Sequence, residues 1–170
     1  MTIKELVMNQ VNKAMGVGIT QDNNPFAIYS NPKTDLFFGV NGVRERENRE
    51  SLLQFNNMVN GLRAGFYVLG KQYNGLTVDE IGQKYSRTDK TGYTNYLKQK
   101  LGKNFVLNAD DNQSLIKLGT SIMGFETGHK DEVLDKLNIS DKQILQAIKE
   151  SKEERPNSVY SQMKNSGMVK

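Results

Sequence analysis

Apolar positions along most of this chain recur at spacings of three and four, the period of helices with one buried face. Residues 2 to about 15 begin the pattern: Thr2 and Glu5 form a capping box, and Ile3, Leu6, Val7 and Val11 fall on one stripe. From Gly16 to Asn24 glycines, Asp22 and paired asparagines replace it with turn chemistry. Two short strand-like segments follow, Phe26–Tyr29 and Leu36–Val40, separated by the turn-like Asn31–Asp35, and together they predict a small hairpin. Helical spacing then returns. Asn60 is placed to cap a helix carrying Leu62, Phe66, Leu69 and Tyr73, which Asn74-Gly75 stops. Thr77 and Glu80 form a second capping box, opening a helix through Ile81 to Tyr85. After a polar loop from Ser86 to Gly92, Tyr93, Leu97 and Leu101 mark a helix closed by Gly102. Asp110 or Asp111 caps the next, whose stripe of Leu115, Leu118, Ile122 and Phe125 ends at Glu126-Thr127-Gly128.

Residues 129 to 170 are thinner in apolar content. Ser140 and Gln143 make another capping box, with Ile144, Leu145 and Ile148 as the stripe, and Glu153-Glu154-Arg155-Pro156 leads into a polar end. The prediction is a mainly α (α+β) chain with one small β-hairpin near its start. Residues 1–128 form the principal domain and 129–170 a helical extension, either packed on that domain or serving as a docking element for a larger assembly.

Composition narrows the chemistry. The 170 residues include no cysteine and a single histidine, His129, which removes disulfide scaffolds, thiol catalysis and thiolate zinc sites, and makes a Ser-His-Asp triad depend on one residue. Carboxylate chemistry remains, and neither a metal nor a cofactor is expected. No apolar run approaches the roughly 20 residues of a membrane span. Met1–Glu5 lacks a basic region followed by an apolar core, so the chain is expected to be made in a cytoplasm without a secretory signal. The net charge of +4 divides as +3 up to residue 128 and +1 beyond it, with no basic face interleaved with aromatics, so nucleic acid is not an expected partner. The sign-alternating run Arg44–Glu50 reads as a solvated surface stretch.

Among the acids Glu126 stands out. It falls in the last turn of an apolar helix, between Met123-Gly124-Phe125 and Gly128, where the negative end of the helix dipole and burial both disfavour its charged form. A carboxyl held protonated near neutral pH can act as a general acid; a solvated residue at a fraying helix end would leave the same spacing.

The order Asp22-Asn23-Asn24-Pro25-Phe26-Ala27-Ile28-Tyr29, Gln54-Phe55, Gly61-Leu62-Arg63-Ala64, Gly75-Leu76-Thr77-Val78, Tyr93 and Tyr96, Leu101-Gly102 and Phe125-Glu126-Thr127-Gly128 resembles the phage-type, lysozyme-like lytic transglycosylases, which are often virion-associated. Their relatives carry Asn-Asn-Pro-Gly-Asn-Ile near the start and Glu-Asn-Gly after the last domain helix. The resemblance spans roughly residues 17 to 128. It implies a lysozyme-like domain whose hairpin and helical lobe wall a cleft for a peptidoglycan strand. Glu126 would be acid and then base in cleaving the β-1,4 bond from N-acetylmuramic acid to N-acetylglucosamine. The substrate's N-acetyl group would assist, and the muramyl 6-hydroxyl would close a 1,6-anhydro product. Tyr29, Asn24, Tyr93 and Tyr96 would bind substrate. Arg63 reads as a buried or interfacial charge partner. A hydrolase would need a second carboxylate, for which Asp22 and Asp35 are the acids in or beside the hairpin region.

This chain departs from the family at Phe26-Ala27, where relatives have Gly-Asn, and at Gly39-Val40, where Gly-Gln is expected. Both departures are expected on the hairpin side of the cleft, where Phe, Ala and Val cannot hydrogen-bond substrate. The resemblance implies a virion protein that opens peptidoglycan during entry, with other virion proteins as partners through residues 129–170. The alternatives are a structural or ejection protein on the same fold without turnover and, from a different class, a small helical adaptor or nucleic-acid-associated protein.

Overall fold

The computed structural model describes Ile3 and residues 21–167; apart from Ile3, the helix expected over residues 2 to 15 lies outside the described residues. Seven α-helices and one two-stranded antiparallel hairpin are present among them, a mainly α chain with a small hairpin toward its N-terminus. The hairpin joins β1 (Val40–Arg46) to β2 (Arg49–Phe55), with Val43 opposite Leu53 and Arg46 opposite Arg49. Asn48 turns it in the left-handed conformation, φ 56°. The hairpin is therefore displaced from the expected segments. Residues 34–36 form a 3-10 turn, and residues 28–30 run along the other edge of β2, Ile28 accepting from the Leu53 amide and Ser30 donating to the Ser51 carbonyl. Of the strand-like apolar residues, Phe26 before the hairpin is a core residue, and Val40, expected to end a strand, instead begins β1 and is also buried.

The helices are α1 (Met58–Gln72), α2 (Val78–Tyr85), α3 (Lys90–Leu101), α4 (Asn112–Thr127), α5 (Val133–Lys136), α6 (Asp141–Ser151) and α7 (Val159–Asn165). Both described capping boxes form as the spacing predicts, at Thr77/Glu80 and Ser140/Gln143. Asp111, of the two candidates, caps α4. The cap of α1 is Asn57 rather than Asn60, because Asn57 has the extended backbone that lets its side chain accept from the Asn60 amide. Asn60 is instead buried beside Gly39, φ 86°.

The core runs from Phe26 through Leu62, Phe66 and Leu69 of α1, Leu97 of α3 and Leu118 and Ile122 of α4 to Ile144, Ala147 and Ile148 of α6. Phe26 meets Phe66 edge-on at 5.4 Å, in space that a side chain at Gly65 or Gly119 would fill. Gly61 lets α1 approach the Asn23 carbonyl so closely that an added Cβ would lie 1.6 Å from it. The expected stripe of α6 is only partly buried, since Leu145 is 48% exposed. Arg63 of α1 is buried as expected, but rather than pairing with a charge it donates to the backbone carbonyls of Glu150, in the last turn of α6, and Glu153, just beyond it. Ser158 and Lys164 tie the final segment to Asp35 of the 3-10 turn. Residues 133–160 thus add to the same buried cluster as the residues before 128.

Candidate active site

Glu126 is set by the end of α4. Gly128 adopts the left-handed cap, φ 77°, and Thr127 turns its hydroxyl back to the Met123 carbonyl at 2.7 Å, which fixes the final turn and leaves the Glu126 side chain half-buried. Its pKa is raised from 4.5 to about 7, with desolvation as the dominant cause. The Tyr93 hydroxyl, which donates to Glu126 Oε1 at 3.3 Å, and the charge of Arg46 oppose that shift and only partly reverse it.

Tyr93 is the centre of an aromatic row. Its ring lies 4.0 Å from that of Phe125 and 5.9 Å from that of Tyr85, and burial first, then Glu126, pushes its phenol well above the usual range, so it stays a donor. Tyr85 is also held protonated, by burial and by Glu126, and donates to the Phe26 carbonyl at 2.6 Å.

At the edge of the hairpin Tyr29 is half-buried, and the guanidiniums of Arg87 and Arg46 stand 4.5 and 5.3 Å from its ring centroid. Arg87, in the α2–α3 connection, pairs with Glu50 of β2, while Arg46 of β1 donates twice to the Glu50 carbonyl, at 2.8 and 2.9 Å. Tyr29, Arg46, Asn48, Arg49, Glu50, Arg87 and Thr88 line a groove of about 520 Å³. A larger one of about 740 Å³ lies between the 3-10 turn, α1 and the α6–α7 connection, and includes neither Glu126 nor Tyr29.

Of the expected site residues, Glu126 and Tyr93 are in contact, while Tyr29 lines a groove whose lining includes neither; Tyr93, at 2% exposure, offers its hydroxyl to Glu126 rather than a face to substrate, and two others do not take the expected part either. Asn24 is fully buried, and its amide bonds the Ile28 and Leu53 carbonyls and the Ile28 amide, each at 3.0 Å, so it holds the loop to β2 and has no face for substrate. Tyr96 is 7% exposed, and its hydroxyl is spent on the Ser121 carbonyl at 2.8 Å, so it packs α3 to α4. The departures from the family pattern also change meaning. Phe26 and Val40, at 1% exposure each, are not cleft residues, and their lost hydrogen-bonding capacity subtracts nothing from the groove.

Neither candidate second carboxylate is free. Asp22 is buried under a two-point contact from Arg44, at 2.6 and 3.0 Å, and a bond from Gln54 at 3.0 Å; Asp35 is buried with Ser30 and Lys164. Among the described residues no three histidine or acidic side chains converge as a metal site. Periodicity did not point to Tyr85, Arg46 or Arg87, since the first looked like a helix-end residue and the others lay in a charged run and a polar loop.

No helix among the described residues is long and apolar enough to cross a membrane. No protein-family model and no curated protein matches the chain.

Proposed function

We propose that the chain is a peptidoglycan-cleaving lytic transglycosylase of lysozyme-like type, acting on the bond from N-acetylmuramic acid to N-acetylglucosamine from a virion during phage entry. The observation that carries this reading is Glu126, a half-buried carboxyl with a pKa of about 7 that accepts a hydrogen bond from a protonated tyrosine. At neutral pH such a group is divided between its two forms, which is what one residue needs to act as acid and then as base. In the first step the Glu126 proton passes to the glycosidic oxygen as the bond to the muramyl C1 breaks, and the substrate's N-acetyl oxygen shares the positive charge left there. In the second, Glu126 takes the proton of the muramyl 6-hydroxyl as its oxygen bonds to C1, giving the 1,6-anhydro end and restoring the acid. Tyr93, kept protonated, positions the carboxylate formed between the steps. With Asp22 and Asp35 both committed to partners, a scheme needing one carboxylate fits the site better than one needing two.

The test is digestion of purified peptidoglycan by the wild type and by Glu126→Gln, with mass analysis of released muropeptides. Anhydro-ended products from the wild type alone are expected. Reducing ends would replace transglycosylation by hydrolysis and direct attention to Glu50, the carboxylate lining the groove. No release by either protein from walls of several bacteria would overturn the enzymatic reading and leave a structural or ejection role.

A further inference from the structure

The groove beside Tyr29 is unevenly charged: Arg46, Arg49 and Arg87 face a single lining carboxylate, Glu50. That carboxylate answers only Arg87. Arg46 bonds the neutral Glu50 carbonyl, and Arg49, exposed at the start of β2, pairs with no carboxylate among the described residues. Tyr29 is a fixed platform for these cations, bridged to Leu52 and accepting the Thr34 hydroxyl at its carbonyl at 2.6 Å. Two guanidiniums within 5.3 Å of one ring centroid repel each other, and only one has a carboxylate to offset this. A bound anion would relieve that repulsion, whereas a neutral sugar would not.

We propose that this groove is a specificity subsite for carboxylate-bearing saccharides, in which Arg46, Arg49 and Arg87 hold an acid group and the Tyr29 ring fixes two of the guanidiniums. The proposal rests on the glycan-cleaving reading above. Glu126 is not among the residues that line this groove, so an anion bound here is held apart from the acid and serves recognition rather than the proton transfers. Within peptidoglycan the carboxylate has two sources, the muramyl lactyl ether and the stem peptide. In the free protein Glu50 occupies Arg87 and acts as an internal competitor for it.

The experiment is calorimetric binding to full-length Glu126→Gln protein of three tetrasaccharides: one muramyl-containing with free lactyl carboxylates, the same one bearing stem peptides, and chitotetraose as the neutral probe. A carboxylate-bearing ligand is expected to bind about tenfold more tightly than chitotetraose, with the gap closing at about 0.5 M salt. The two acidic ligands compared with each other identify the source. Arg49→Gln, and Glu50→Gln with Arg87→Gln together, which leaves no unpaired acid behind, should each narrow the gap. Glu50→Gln alone should widen it by freeing Arg87, a gain that a merely structural ion pair would not produce. Equal binding of all three ligands, no binding of any, or a uniform effect of the arginine substitutions on acidic and neutral ligands would overturn the subsite. Anhydro-muropeptide release without carboxylate preference would sink the subsite and keep the cleavage reading. Arginine-dependent preference without release from any wall would do the reverse.

Discussion

Glu126 draws its chemistry from being half removed from water, and that has consequences for both rate and stability. Its protonated form is needed for the first step, so cleavage is expected to be level below pH 7 and to fall by about tenfold per unit well above it, the midpoint following a pKa of about 7. Tyr93→Phe removes a bond that stabilises the ionised form, so the midpoint of this alkaline limb should move upward. A pH profile of muropeptide release reads both, and a midpoint that moves down in Tyr93→Phe would contradict the hydrogen-bond assignment. Stability runs in the same window. Because the native pKa lies above the ordinary 4.5, the folded state binds more of this proton than the unfolded one, and stability is lost as pH rises from 4.5 to about 7. Glu126→Gln escapes that loss. Urea melts should show the variant gaining on the wild type across this interval by at most about 3 kcal/mol and holding a constant advantage above it.

Element by element, the turn that carries Tyr29 holds a strained residue. Ala27 has φ 54°, a left-handed conformation that an alanine side chain resists by about 1–2 kcal/mol. Ala27→Gly should therefore raise stability by about 1 kcal/mol, read as a higher melting temperature, with the Tyr29 platform unchanged. Asn24→Ala acts oppositely, removing three buried hydrogen bonds and leaving the Ile28 amide without its acceptor, at a cost of about 2–3 kcal/mol, and its main effect should be on melting rather than on ligand affinity. Capping boxes and glycine stops made the helices legible, because both are local chemistry that only one backbone geometry satisfies. The hairpin was harder to place. Val-Asn-Gly-Val-Arg-Glu-Arg shows little apolar alternation, since much of β1 is only half-buried, whereas Phe26 looks strand-like because it is needed in the core. The Glu126 end of the site was readable from a helix terminus and its glycine. The arginine end was not, since Arg87 and Arg46 come to Tyr29 only when a loop and a hairpin tip converge.

At the scale of the molecule, the acid and the hairpin are joined through a frame that extends past residue 128. Helix α1 lies against both α4, which presents Glu126, and α6, where Ile144, Ala147 and Ile148 are buried and at whose end Arg63 donates to the carbonyls of Glu150 and Glu153. Removing residues 129–170 would expose the apolar face that these residues cover and leave the buried guanidinium of Arg63 without its two carbonyls. Three core side chains of this size, each contributing about 1–3 kcal/mol on burial, are comparable with the whole stability of a domain. A chain cut after Gly128 is therefore expected to lose its cooperative thermal transition and its protection from protease, although every residue of the candidate site is retained. Arg63→Met is the milder probe: it keeps the length and removes the charge, and should lower stability by about 1–3 kcal/mol while leaving the pH midpoint of Glu126 in place. A truncated chain that melted as sharply as the full one would mean that α6 and α7 rest on a core already complete without them, and that the groove and its acid are held by residues 21–128 alone.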